Sequence, residues 1–126
     1  MLYTETCYLS PQQQVAVRNL HKLCQTAAEY MIPRFMENDY NINPSMPCFY
    51  LCGEREQLIG FLSIFLPNPQ EAEISAFIHP AYRRQGIFSH LWELAMRTLE
   101  QYQVETIYVP LAVQNRIARQ LLTDMD

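Results

Sequence analysis

The sequence is poor in positive charge, in glycine and in long hydrophobic runs. It has nine Lys and Arg residues and thirteen Asp and Glu residues, which gives a formal net charge of −4. A nucleic-acid binder needs a basic face, and this chain lacks the charge for one. The longest apolar runs, such as Leu62–Pro67, are far shorter than the roughly 20 residues that cross a bilayer. We therefore expect neither nucleic acid nor a membrane as a partner.

A secretory signal and a metal-binding motif are also missing. The first residues show no basic flank followed by an apolar stretch and a small-residue cleavage site, so we expect a cytoplasmic protein. The four cysteines match no zinc spacing and the three histidines form no HExxH group, so we expect no metal. The cysteines are expected to be small buried thiols in a reducing compartment. These seven residues are Cys7, Cys24, Cys48, Cys52, His21, His79 and His90.

The composition suits one packed domain over residues 1–126. Hydrophobic residues make up 49% of the chain and charged residues 17%, so a core can form. Alternating apolar residues predict strands over Leu2–Leu9, Cys48–Gly53, Leu58–Leu66, Glu71–His79 and Thr106–Val113. Apolar residues at helical spacing predict helices from Gln12 to about Tyr30, from Gly86 to about Gln101, and from Asn115 to the end of the chain.

Local signals sharpen this pattern. Ser10 and Pro11 are typical of an N-cap and a first helical residue, and the prolines of Pro67–Pro69 are expected to end a strand. In Glu71–His79, apolar residues alternate with Glu, Ser and Phe. The helix from Gly86 joins two strands that must therefore be parallel, whereas the earlier strands are joined as hairpins. The predicted fold class is α/β, with a mixed, mostly antiparallel sheet flanked by helices.

The most informative segment is the turn over Arg83–Ser89. A strand ends at Pro80, two arginines follow, and a helix starts at Gly86, one of only three glycines in the chain. The first N–H groups of a helix have no partner within it and carry the positive end of its dipole, so they can hold an anion. A turn that needs glycine only for its own backbone would show the same pattern. Neither GxxxxGK(S/T) nor GxGxxG occurs, which argues against a P-loop and a Rossmann dinucleotide site.

This segment resembles the cofactor motif of the GNAT N-acetyltransferase superfamily, whose pattern is Val-x-x-x-x-(Arg/Gln)-x-x-Gly-x-(Gly/Ala). Ile78 stands at the Val position, Arg83 at the Arg position and Gly86 at the first Gly. Phe88 stands where Gly or Ala is usual. The resemblance covers roughly residues 48–122. It implies an acyl-CoA N-acyltransferase-like fold and acetyl-CoA as the cosubstrate.

The resemblance also implies roles for individual residues. The backbone of Ile78, between Phe77 and His79, would pair with the pantetheine arm of acetyl-CoA, and Asn115 would contact the same arm. The pyrophosphate would be held by Arg83 and by the backbone N–H groups of Arg84, Gln85, Gly86, Ile87, Phe88 and Ser89. The implied activity is transfer of the acetyl group to a primary amine of a small molecule or peptide.

The implied general base is a Glu on the fourth strand, which removes the proton of the attacking amine. Glu73 stands at that place and Glu71 is the second candidate, although plain solvated carboxylates would give the same sequence. The Tyr that often protonates the departing thiolate in this family is replaced by Leu122. The sequence therefore identifies no general acid.

The family pattern normally continues with two further strands, which this sequence does not show. We therefore expect an incomplete sheet that a homodimer or a second domain would complete. The alternative function is a catalytically weak or inactive module that binds acetyl-CoA or a partner, as the N-terminal part of a longer or tandem protein.

Overall fold

The computed structural model describes residues 1–26 and 41–109, in which five strands form one sheet in the order β1-β2-β3-β4-β5. The predicted helix from Asn115 lies outside the described residues. The strands are β1 (Leu2–Thr6), β2 (Phe49–Glu54), β3 (Gln57–Asn68), β4 (Glu71–Ile78) and β5 (Thr106–Tyr108). The helices are α1 (Pro11–Thr26) and α2 (Ile87–Gln101), and a short 3-10 turn covers Pro80–Tyr82.

The pairing of the strands confirms the predicted fold class. Strands β1 to β4 pair antiparallel with their sequence neighbours, and the predicted hairpin is the pair β2–β3. Strand β5 pairs parallel with β4, as the strand–helix–strand connection through α2 requires. The sheet is therefore mixed and mostly antiparallel.

Two adjacent residues of β4 show that the helices cover opposite faces of the sheet. The ring of Phe77 packs against His21 of α1, with 5.6 Å between ring centroids. The side chain of Ile78 lies with Ile87 of α2 above Gly60 of β3. Because successive side chains of a strand point to opposite faces, α1 and α2 enclose the sheet between them.

Helix α1 begins with the predicted cap. The Oγ of Ser10 accepts a hydrogen bond from the N–H of Gln13 at 3.1 Å, and the Oε1 of Gln13 accepts one from the N–H of Ser10 at 2.8 Å. This reciprocal capping box satisfies two donors at the helix N-terminus. The helix starts at Pro11, the predicted first helical residue.

The predicted ends of the first and third strands were wrong. Strand β1 ends at Thr6 and not at Leu9, and β3 continues through Pro67 to Asn68. The β3–β4 register shifts between Phe65 and Asn68. This irregularity accommodates a proline, which has no N–H for the ladder.

The alternation along β4 did not mark a solvent-exposed face. Ser75 and Phe77 are 7% and 0% exposed, because α1 covers their side of the sheet. The strand ends at Ile78 rather than His79, and the helix that follows begins at Ile87 with Gly86 as its N-cap. Only the first residues of β4 keep a half-exposed face.

Candidate cofactor and catalytic site

The segment Arg83–Ser89, which we call the anion turn, connects the end of β4 to α2 with an unusual backbone. Arg84 has a φ of +65° and Gly86 a φ of +78°, while Gln85 between them has a negative φ. The left-handed Gly86 is followed directly by Ile87, the right-handed first residue of α2, and such a pair turns successive N–H groups towards one side. Such a nest of N–H groups is a concave site for an anion.

The anion turn leads into the N-terminus of α2. The helical ladder begins with the N–H of His90, which donates to the carbonyl oxygen of Gly86 at 3.1 Å. Gly86 is the N-cap and provides no side-chain cap hydrogen bond. The N–H groups of Ile87 and Phe88 precede the ladder, so they point back towards the turn with the positive end of the helix dipole.

Gly86 meets two requirements at once. Its φ of +78° lies in the left-handed region that residues with a Cβ rarely adopt. A Cβ built on Gly86 would have no heavy atom within 4 Å. The backbone explains why glycine is needed here, and the open space above it leaves room for a ligand phosphate.

The two arginines of the anion turn differ in their surroundings. Arg84 is exposed. Arg83 is half-buried, and its Nε and one terminal guanidinium nitrogen are inaccessible to solvent. Arg84 is therefore the arginine whose side chain is presented to solvent beside the turn.

Phe88, the residue that departs from the family pattern, does not fill the turn. Its side chain is 4% exposed and stacks on Trp92 one helical turn later, with 6.1 Å between ring centroids. The large ring is thus accommodated within the core. Its backbone N–H keeps the position at the start of the helix that the motif requires.

Gly60 of β3 lets the start of α2, at the end of the anion turn, pack close to the sheet. The sequence interpretation did not assign this role to Gly60. A Cβ at Gly60 would lie 2.7 Å from Cγ2 of Ile87 and 3.2 Å from the side chains of Ile78 and Leu91. Only a glycine lets the first turn of α2 approach β3 this closely. An isolated glycine within a strand pattern was the available signal.

Ile78 lies where β4 and β5 have separated. Among the described residues, the parallel ladder runs only from Glu71 to Glu73 of β4. The N–H of His79 donates to Ile59 of β3 at 2.8 Å, so the N–H and carbonyl of the preceding Ile78 point to the opposite edge. That edge is the side on which a pantetheine arm would add as a strand.

The two candidate bases lie on the same face of the sheet but differ in their contacts. Glu71 accepts hydrogen bonds from Asn68 Nδ2 at 3.4 Å and from Tyr108 Oη at 2.7 Å. These bonds give Glu71 a structural role at the β4–β5 junction. Glu73 is half-buried and is paired in register with Tyr108. The hydrogen bond to Glu71 raises the pKa of the Tyr108 phenol.

Helix α1 brings two side chains to the end of β4. His21 packs on Phe77, and burial lowers the pKa of its imidazole, which favours the neutral form. One turn later, the Sγ of Cys24 donates to the carbonyl oxygen of Ile78 at 3.3 Å. The sequence interpretation assigned neither residue to the site.

Glu73, Phe77 and Ile78 therefore follow one another along β4, and His79 and the anion turn come after its end. Asn115, the remaining predicted site residue, lies outside the described residues. Within residues 1–26 and 41–109, no cluster of three or more His, Cys, Asp or Glu side chains could hold a metal ion. No helix in this part of the chain combines the length and the apolar character needed to cross a membrane.

The fold resembles several solved acetyltransferases at low sequence identity. An aminoglycoside 6'-N-acetyltransferase complexed with coenzyme A aligns with a TM-score of 0.63 and 18% identity, over 86% of this chain and 61% of that one. The ribosomal-protein-S18-alanine N-acetyltransferase from Escherichia coli gives 0.62 and 14%, over 94% and 76%. The aminoglycoside N-acetyltransferase AAC(6')-Iy, in complex with CoA, gives 0.61 and 12%, over 99% and 90%. This chain thus spans less than two thirds of the first of these enzymes.

Sequence comparison identifies the family rather than an individual relative. No curated protein is similar enough in sequence to count as a match. The family model described as "Acetyltransferase (GNAT) family" matches residues 15–125, which is most of the chain and includes the anion turn. The chain belongs to the GNAT acetyltransferase family.

Proposed function

We propose that this protein transfers the acetyl group of acetyl-CoA to a primary amine of a small molecule or peptide. The observation that carries the proposal is the anion turn, where a left-handed Gly86, an uncapped helix N-terminus and open space coincide. Membership of the GNAT family and the CoA complexes among the similar structures support the same ligand.

The residues of the anion turn fit the pyrophosphate of acetyl-CoA. Its negative charge would be met by the N–H groups of residues 84–89 and by the exposed side chain of Arg84. The missing Cβ of Gly86 would let a phosphate oxygen approach the backbone. The outward-facing backbone of Ile78 would pair with the pantetheine arm and direct the thioester along β4.

The reaction requires a deprotonated amine near this thioester. The amine nitrogen forms a bond to the acetyl carbon, the carbon–sulfur bond breaks, the amine loses a proton and the CoA thiolate gains one. We assign removal of the amine proton to Glu73, directly or through a water molecule. Glu71 is the second candidate, and Asn68 and Tyr108 bind its carboxylate at the β4–β5 junction.

Two measurements, made one after the other, test the proposal. Acetyl-CoA should first raise the melting temperature of the protein, because a ligand that binds only the folded state stabilises it. Release of free thiol from acetyl-CoA should then be followed with a panel of small amines and peptides. Absence of any thermal shift would refute the cofactor site. A shift without thiol release for every amine would contradict the transferase activity.

Substitution of the proposed base separates chemistry from binding. Glu73→Gln should reduce kcat by about 100-fold or more, since general base catalysis contributes about 10² to 10⁴. The KM for acetyl-CoA should change little. Glu71→Gln is the matched control, and an equal loss of kcat in this variant would refute the assignment of the base to Glu73.

A further inference from the structure

His79 organises the whole connection between β4 and the anion turn. Its backbone N–H donates to Ile59 of β3 at 2.8 Å, and its carbonyl oxygen accepts from the N–H of Tyr82 at 2.9 Å. Its imidazole Nδ1 accepts from the N–H of Ala81 at 3.0 Å. One residue thus ties the end of the strand to the 3-10 turn Pro80–Tyr82 that leads directly into Arg83.

The side-chain bond has the geometry of a cap. His79 stands at the N-cap of the 3-10 turn with φ −52° and ψ 129°, and Pro80 occupies the first position. The ring is also held by Tyr82, which meets it edge-on with 5.2 Å between centroids. Both contacts orient the imidazole, so that Nδ1 faces the backbone of the turn.

This cap depends on the protonation state of the imidazole. A neutral histidine with its proton on Nε2 offers Nδ1 as an acceptor, whereas an imidazolium has donors at both nitrogens. Protonated His79 therefore loses the bond from Ala81. The start of the anion turn would then lose its side-chain anchor while the backbone bonds remain.

We propose that His79 is a positioning residue whose imidazole, by accepting from the N–H of Ala81, holds the anion turn ready for the pyrophosphate of acetyl-CoA. The inference rests on the proposed function, because it concerns the same site. It goes beyond that function by assigning a role to the side chain of His79.

Asparagine offers a conservative replacement. Its side-chain oxygen readily accepts from the N–H two residues further along the chain, which is the bond that His79 makes to Ala81. Asparagine does not titrate. His79→Asn should therefore keep the cap at every pH, whereas His79→Ala removes it.

The test compares acetyl-CoA dissociation constants for the wild type and both variants by calorimetry at about pH 8. His79→Ala should bind acetyl-CoA at least about fivefold more weakly than the wild type, and His79→Asn should bind it within about twofold of the wild type.

A second measurement does not depend on cofactor binding. In the protein labelled with ¹⁵N-histidine, NMR should show the tautomer of His79 that is protonated at Nε2. A proton on Nδ1 in the neutral form, or wild-type affinity in His79→Ala, would overturn the inference. Failure of the wild type to bind acetyl-CoA would instead refute the proposed function, while the tautomer would still report on the cap.

Discussion

The thiol of Cys24 donates a hydrogen bond to the backbone carbonyl of Ile78, with 3.3 Å between sulfur and oxygen. Cys24 has no exposed surface and lies near the end of α1. The accepting carbonyl points away from β3, towards the edge where the pantetheine arm would bind. The end of α1 therefore contacts the same backbone group that the cofactor is proposed to use.

The size of residue 24 should accordingly affect cofactor binding. Cys24→Ser keeps a donor of similar size, and the KM for acetyl-CoA should stay within about twofold of wild type. Cys24→Leu adds bulk against the Ile78 carbonyl in a fully packed core, and the KM should rise about tenfold or more. Steady-state kinetics with varied acetyl-CoA measures both effects.

The control for this comparison is Cys48→Leu. Cys48 is equally buried, but it lies just before the first residue of β2, at the end of the sheet remote from Ile78. Overpacking there should lower stability without changing the KM. Equal increases in KM for the two leucine variants would show that Cys24 has no local effect on the cofactor edge.

The close approach of α2 to β3 at Gly60 makes a second prediction. Gly60→Ala places a Cβ 2.7 Å from Cγ2 of Ile87, so the start of α2 must move. The free energy of unfolding should fall by about 1–3 kcal/mol, and acetyl-CoA should bind more weakly. Denaturant titration and calorimetry measure the two changes.

Gly53→Ala serves as the matched control in the same sheet. A Cβ at Gly53 would lie 3.6 Å from the backbone oxygen of Gln57, which is an ordinary contact. The free energy of unfolding should therefore change by no more than about 0.5 kcal/mol. If Gly60→Ala lowered the free energy of unfolding no more than Gly53→Ala does, the contact with Ile87 would not determine how closely α2 approaches β3.

The burial of Phe88 makes a third prediction. If its ring crowded the cofactor, Phe88→Ala would tighten acetyl-CoA binding. Because the ring is buried against Trp92, the substitution should instead leave a cavity and lower the free energy of unfolding by about 3 kcal/mol. Affinity measured below the melting temperature should not improve, and tenfold tighter binding would contradict this packing.

A fourth prediction concerns His21 and acid. Since burial lowers the pKa of His21, the unfolded chain takes up the proton at a higher pH than the folded protein does. The contribution of His21 to stability is therefore intact above about pH 6.5, the ordinary histidine value, and is lost as the pH falls below it. Urea unfolding at several pH values should show a shallower acid dependence in His21→Gln. An unchanged dependence in His21→Gln would contradict the effect of burial.

The sequence predicted the features that depend on short-range chemistry. The N-cap at Ser10, the hairpin β2–β3 and the parallel β4–β5 pair follow from local pattern and connection length. The strand through Pro67 was missed, because the register shift that tolerates a proline depends on the partner strand. The burial of Ser75 was missed because it depends on where α1 lies.

In the candidate site, too, only the features that depend on neighbouring residues could be predicted. The anion turn could be predicted because its glycine and its helix start are adjacent in the sequence. The contacts of Gly60 with Ile87 and of Cys24 with Ile78 could not be predicted, since each joins residues that are far apart in the chain. The cap formed by His79 needs side-chain orientation, which the sequence does not specify.

Calorimetric titration of acetyl-CoA into the wild type, Gly86→Gln and Gly86→Glu tests the anion turn most directly. Both variants place a similar side chain at a φ of +78° and share its strain of about 1–2 kcal/mol. Only Gly86→Glu adds a carboxylate beside the proposed pyrophosphate. We predict that Gly86→Glu abolishes binding, that Gly86→Gln keeps weakened binding, and that the difference narrows as salt increases. Wild-type affinity in Gly86→Glu would contradict the proposed site.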